Sequence, residues 1–157
     1  MKPSILALIL LVPLTVWAGY EEGIAAYNKG DYSTAIAEIE PLAMKGNARA
    51  QYFIATLYRY GHGKLRDQAQ AAEWFRKAAE QGHLESQYHL GLLYRNGEGV
   101  KRDRVAAHMW LSVFAAATGS YRDSLYAKDA VRKMEREMSE EDIARAKRMA
   151  SEWTPRK

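Results

Sequence analysis

The chain has no cysteine among its 157 residues. It therefore cannot carry the lipid-bearing cysteine of a bacterial lipoprotein, nor the disulfide framework on which many small secreted domains depend. Its positive charge excess is small, a net charge of +4, and its 23 lysine and arginine residues are interleaved with 19 aspartate and glutamate residues. Nucleic-acid binding needs a basic stripe that neutralises several phosphates, so this mixed distribution argues against it.

The apolar run near the N-terminus is too short to cross a bilayer. It covers residues 5–16, whereas a transmembrane helix needs about 20 apolar residues, and Pro13 interrupts it. Lys2 precedes the run and Ala18 follows it, which is the pattern of a secretory signal peptide. We therefore expect residues 1–18 to be a signal peptide that is cleaved near Ala18. The mature chain would be periplasmic or secreted, without a stable membrane anchor.

The middle of the sequence, residues 48–119, repeats itself at an offset of 36 residues. Residues of the same type recur in one register through a whole unit: Gln51-Tyr52 with Gln87-Tyr88, Leu57-Tyr58-Arg59 with Leu93-Tyr94-Arg95, Asp67 with Asp103, Trp74 with Trp110, and Ala79 with Ala115. Agreement over this length indicates an internal repeat rather than chance.

Within each unit the apolar residues follow helical spacing. In the first unit they are Ala50, Ile54, Leu57 and Tyr58 on one segment, then Ala71, Trp74, Phe75, Ala78 and Ala79 on the next. Gly61 and Gly97 lie after the first segments, where glycine accepts the left-handed conformation that ends a helix. Asp67 and Asp103 precede the second segments, where a carboxylate accepts bonds from free backbone amides. Each unit is thus predicted to be a helix hairpin with its tryptophan in the core.

The two units resemble Sel-one-like repeats, a branch of the tetratricopeptide group. The second unit carries the pattern most fully: Tyr88, Leu90-Gly91, Tyr94, Gly97-Glu98-Gly99-Val100, Asp103 and Trp110. The resemblance implies an all-α fold, a right-handed α-solenoid of stacked helix-turn-helix repeats, with repeats at residues 48–83 and 84–119. We expect residues 19–47 to form a tetratricopeptide-like N-terminal capping hairpin. Residues 120–157 would form C-terminal capping helices, the last of them starting at Ser139.

No catalytic or metal-binding pattern is recognisable in the sequence. Four histidines show no i,i+4 pair and no ligand at metal-site spacing: His62, His83, His89 and His108. We expect His62 to be an exposed residue of the glycine turn and His83 to lie at a helix start. No set of serine, histidine and acid is recognisable either, although a triad assembled in space would escape such a search. The sequence therefore predicts no metal, no cofactor and no enzyme activity.

The resemblance also implies a binding surface, because solenoids of this kind commonly hold a partner's peptide or helix against their first helices. The inward-facing residues would follow steps of three and four along two helices: Arg49, Tyr52, Thr56, Arg59, Glu85, Tyr88, Leu92 and Arg95. Four of them would form an aromatic and basic ladder that grips an extended or acidic segment of another protein: Tyr52, Arg59, Tyr88 and Arg95. The competing interpretation is that the tyrosines are packing residues and the arginines lie on a solvated face.

These features favour an exported, non-catalytic scaffold or adaptor that binds a partner protein in the groove of the repeat array. Two other classes stay open at this point. One is a periplasmic immunity protein that neutralises a toxin, and the other is a protein or enzyme that binds cell-wall polymer or an acidic polysaccharide. A released factor that engages a host protein is a further alternative, because one scaffold can display unrelated surfaces.

Overall fold

The computed structural model describes residues 15–156, so the predicted signal peptide lies outside the described residues up to position 14. Eight helices and no strand make up the described part of the chain: α1 Thr15–Asn28, α2 Tyr32–Met44, α3 Ala48–Tyr60, α4 Gln68–Glu80, α5 Leu84–Asn96, α6 Arg104–Ala117, α7 Tyr121–Glu135 and α8 Glu140–Glu152. None of these helices combines the length and the apolar character that crossing a membrane requires.

Helices that are neighbours in sequence are also neighbours in space. The pairs α1–α2, α3–α4 and α5–α6 pack as hairpins, and each hairpin packs on the next through α2–α3 and α4–α5. At the C-terminal end α6 contacts both α7 and α8. This arrangement confirms the predicted all-α helical repeat solenoid, with its two repeats formed by α3–α4 and α5–α6.

The helix ends follow the local signals of the repeat. Gly61 and Gly97 end α3 and α5 in the left-handed conformation, with φ of 76° and 75°. The carboxylates of Asp67 and Asp103 accept bonds from backbone amides in the first turns of α4 and α6. Ser139 caps α8 in the same way through its hydroxyl. Each cap satisfies backbone groups that a helix leaves without partners, so the hairpin turns are stabilised locally.

The core runs between the helices as a nearly continuous apolar layer. Trp74 and Trp110 are each only 8% exposed, which confirms their predicted place in the core. The C-terminal tail adds a contact that the repeat pattern does not contain. Trp153 packs its ring against Trp110, and the Arg156 guanidinium lies 2.8 Å from the Glu80 carboxylate. The last residues therefore connect the C-terminal end of the chain to α6 and α4.

Candidate functional site

The eight residues predicted to face inward lie outside the fully buried faces of α3 and α5, and three of them also pack against core clusters: Tyr52, Tyr88 and Leu92. All eight are half-buried or exposed, whereas their helix neighbours Ile54 and Leu90 are fully buried. The periodicity therefore separates the buried face of each helix from the face that remains accessible.

Tyr52 and Arg59 of α3 meet at one residue of α5, His89. The ring of Tyr52 lies nearly parallel to the His89 ring, with centroids 5.9 Å apart, and also stacks on His83 at 4.8 Å. Nη1 of Arg59 lies 2.9 Å from Nδ1 of His89. Phe75 of α4 supports the imidazole from behind, with ring centroids 5.0 Å apart. The Tyr52 ring, the Phe75 ring and the Arg59 guanidinium thus all contact His89, a residue that the predicted ladder did not include.

The electrostatics of this cluster keep His89 uncharged. Burial, and then the positive charge of Arg59, lower the pKa of His89 from 6.5 to about 4. A neutral imidazole can accept the Arg59 N–H at Nδ1, which places its own proton on Nε2. Arg59 is therefore fixed by a hydrogen bond, and its remaining N–H donors can reach a ligand.

Tyr52 remains a protonated phenol at neutral pH. Burial, and then the negative charge of Glu85, raise its pKa above 10.0. The ring packs partly against the main core, so Tyr52 contributes to packing as well as to the accessible face. Tyr88 does the same on α5, where its ring lies 5.1 Å from that of Phe114.

The other two predicted arginines lie away from His89. The guanidinium of Arg49 lies over the ring of Tyr20 in α1, 4.8 Å from its centroid. Arg95 is half-buried at the end of α5, and its Nε donates to Oδ1 of Asn96 at 3.1 Å. The accessible face thus carries positive charge at both ends of α3 and at the C-terminal end of α5.

The three remaining predicted residues differ in how free they are to meet a ligand. The hydroxyl of Thr56 donates to the carbonyl of Phe53 in its own helix at 2.6 Å. Leu92 packs against the buried cluster that contains Leu111. The Glu85 side chain is 64% exposed. Of these three residues, Glu85 alone presents an accessible charged group.

His62 is not the exposed loop residue that the sequence led us to expect. It is half-buried, its ring stacks on Tyr32 with centroids 5.1 Å apart, and its Nδ1 lies 2.8 Å from the hydroxyl of Tyr27. The turn after α3 folds against the first hairpin, and this covers the imidazole. His83, in contrast, caps the start of α5 as predicted.

A serine, a histidine and an acid do come together in space. Oγ of Ser112 lies 3.3 Å from Nδ1 of His108, and Nε2 of His108 lies 3.0 Å from Oε1 of Glu135. Ser112 occupies the middle of α6, where backbone amides are bonded within the helix, so they cannot stabilise a substrate oxyanion. Glu135 also binds Lys147 at 2.9 Å. The arrangement satisfies the buried His108, which is only 1% exposed.

Metal binding finds no support in the described part of the chain. Within residues 15–156, no three or more histidine, aspartate or glutamate side chains are placed to hold a metal ion. The accessible face of α3 and α5 presents aromatic rings, arginines and the exposed carboxylate of Glu85.

Comparison with known proteins identifies the repeats. The family model of the Sel1 repeat matches residues 48–83 and 84–117. A Sel1 repeat protein from Oxalobacter formigenes is 32% identical over 73% of this chain and 88% of that chain, with a TM-score of 0.65. A protective antigen present in uropathogenic Escherichia coli strains, which displays an SLR fold, is 26% identical with a TM-score of 0.77. That match covers 88% of this chain but 29% of the antigen. No curated protein matches the sequence.

Proposed function

Because the chain belongs to the Sel1 repeat family, we propose that it is an exported, non-catalytic adaptor that binds a partner protein along the accessible face of α3 and α5. Sel1 repeats are typically protein–protein interaction modules. The single observation that carries the proposal is the cluster of Tyr52, Arg59 and His89, in which stacked rings and a hydrogen bond fix a tyrosine and an arginine on an uncovered face.

This cluster has the properties of a binding hot spot. Tyrosine and arginine are enriched in hot spots because they combine large contact area with hydrogen bonding. Ordering a free arginine side chain on binding opposes association, and the bond to His89 has already ordered Arg59. A carboxylate of the partner is the natural ligand for the guanidinium, since a planar fork of N–H donors matches two carboxylate oxygens.

Export is the second part of the proposal, and the N-terminal sequence supports it. Lys2, the apolar run of residues 5–16 and Ala18 form a signal-peptide pattern. Expression of the complete sequence in a Gram-negative host, followed by fractionation and N-terminal sequencing, tests it directly. We expect a periplasmic protein that begins at Gly19, and retention of Lys2 in a cytoplasmic product would contradict export.

The adaptor proposal is tested with residues 19–157 as bait on envelope extract of the source cells. We expect one protein to be retained in stoichiometric amount. The double variant Arg59→Ala/Arg95→Ala should bind that protein at least ~10-fold more weakly, with unchanged helical content by circular dichroism. Arg148→Ala is the matched control, because Arg148 is an exposed arginine on α8. Retention of cell-wall fragments in place of a protein, or undiminished binding by the double variant, would contradict the proposal.

A further inference from the structure

The accessible face ends in a small cleft between α5, α6 and α7, which we call the aromatic–acidic cleft. Its volume is about 250 Å³, and it is lined by Glu85, Tyr88, His89, Phe114, Asp123 and Tyr126. Phe114 is buried and forms the floor together with Tyr88, while Tyr126 projects from α7 and is 65% exposed. Four aromatic rings, one of them the His89 imidazole, and two carboxylates thus line one opening.

The two carboxylates carry charge that the protein does not neutralise. Neither Glu85 nor Asp123 forms an ion pair with lysine or arginine in the part of the chain that the structure describes. The nearest basic group to Glu85 is His83, with Nδ1 3.5 Å from the carboxylate. Burial lowers the pKa of His83, so this imidazole is neutral at neutral pH and does not supply a countercharge. The lining residues therefore carry two negative charges and no positive one, and the nearby Arg59 guanidinium is bonded to the lining residue His89.

Helix α7, which forms one wall of the cleft, exposes more apolar surface than a terminal helix of a solenoid usually does. Terminal repeats of a solenoid usually present a polar outer face. On α7, however, Tyr121, Leu125 and Tyr126 are 84%, 48% and 65% exposed. Contiguous exposed apolar residues rimmed by charge are typical of interaction sites.

We propose that the aromatic–acidic cleft binds a lysine or arginine side chain of the partner protein. The faces of Tyr88 and Tyr126 attract a cation through their quadrupoles, and Glu85 and Asp123 supply opposite charge. The aliphatic stem of the bound side chain would pack on Phe114. This inference rests on the proposed function. It adds that the partner presents a basic residue to the cleft at α7 and an acidic residue to Arg59.

The cleft can be tested without knowing the partner. Nα-acetyl-arginine methylamide and Nα-acetyl-lysine methylamide are titrated into residues 19–157, and the ring signals of Tyr88 and Tyr126 are followed by NMR. The neutral analogue Nα-acetyl-citrulline methylamide is the control ligand, because it keeps the shape of arginine without its charge. We expect saturable shifts with both cations and none with citrulline. Equal shifts with citrulline would overturn the inference.

Variants assign the binding to these residues. Asp123→Asn combined with Tyr126→Ala should weaken binding of the arginine probe at least ~5-fold, since it removes one charge and one ring. Both residues are exposed, so the fold should be retained. Glu141→Gln is the matched control, because Glu141 is an exposed carboxylate on α8. Undiminished probe binding in the double variant would refute the cleft.

Capture of the partner protein by the two double variants distinguishes failure of this inference from failure of the adaptor proposal. If Asp123→Asn/Tyr126→Ala weakens capture of the same protein that Arg59→Ala/Arg95→Ala loses, both proposals are supported. If the cleft variant captures that protein as well as the unaltered chain does, the inference fails while the adaptor proposal stands. If no protein is retained while probe binding is intact, both proposals are overturned. The lysine or arginine side chain that the inference invokes would then not come from a partner protein.

Discussion

Acid should destabilise the fold through His89 before most carboxylates are protonated. The pKa of His89 in the folded chain is about 4, against 6.5 for a free imidazole, because the half-buried ring is partly desolvated and lies beside Arg59. Between these two values the unfolded chain binds a proton at this residue that the folded chain excludes. The free energy of unfolding therefore falls as the pH falls from about 6.5 and levels off below about 4. A difference of about 2.5 pKa units corresponds to at most about 3 kcal/mol.

Two measurements check this prediction. An NMR titration of the histidine ring protons should show His89 titrating near pH 4. Urea unfolding at several pH values should then show a smaller loss of stability between pH 7 and 4 for His89→Gln than for the unaltered chain. His83→Gln is the control, because the pKa of His83 is also lowered by burial and its contribution must be separated. A His89 pKa above ~6, or identical acid sensitivity in His89→Gln, would refute the reasoning.

Two further predictions concern the repeat turns and the buried polar network. Gly99→Ala should lower the free energy of unfolding by at least ~2 kcal/mol, because φ is +69° and a Cβ would collide with the backbone at the start of α4. Gly119→Ala, where a Cβ meets nothing within 4 Å, should change it by less than ~0.5 kcal/mol in the same urea assay. Hydrogen bonds from His108 and Lys147 lower the pKa of Glu135. Its contribution to the free energy of unfolding is therefore present above pH 4.5 and lost in acid. Thermal melts should therefore show Glu135→Gln losing less stability than the unaltered chain between pH 5 and 3, and equal losses would contradict this.

The repeat architecture was predictable because its signals are local. Gly61 and Asp67 act on the helix ends next to them, and the apolar spacing of each segment determines which side is buried. Each hairpin can therefore be identified without reference to the others, and the match at 36 residues shows that the same unit occurs twice. Ser139 likewise marks the start of the last helix from a short stretch of sequence.

Contacts between hairpins were not predictable in the same way. His62 and Tyr27 are 35 residues apart, and His108 and Glu135 are 27 apart. No pattern within one segment links such pairs, because the packing of one hairpin on the next decides which side chains meet. Arg156 reaches Glu80 across 76 residues for the same reason.

The candidate site was predictable only in part. Helical steps of three and four identify which residues face away from the core, but they do not show what those residues contact. Thr56 and Leu92 occupy the same steps as Arg59, yet Thr56 bonds its own helix and Leu92 packs inward. His89 follows Tyr88 directly in sequence, and its role in fixing Arg59 is visible only when α3 and α5 are placed side by side.

The distribution of charge along the accessible face has a consequence for specificity. In the two proposed contacts, Arg59 on α3 binds a carboxylate of the partner, whereas Glu85 and Asp123 of the cleft bind a lysine or arginine. A segment bound in the opposite direction would place like charges against each other at both ends. Such juxtapositions are strongly unfavourable, so the two proposed contacts together would select the direction of the bound segment as well as its composition. Direction is a property that the aromatic rings alone could not impose, because stacking contacts are tolerant of sequence and orientation.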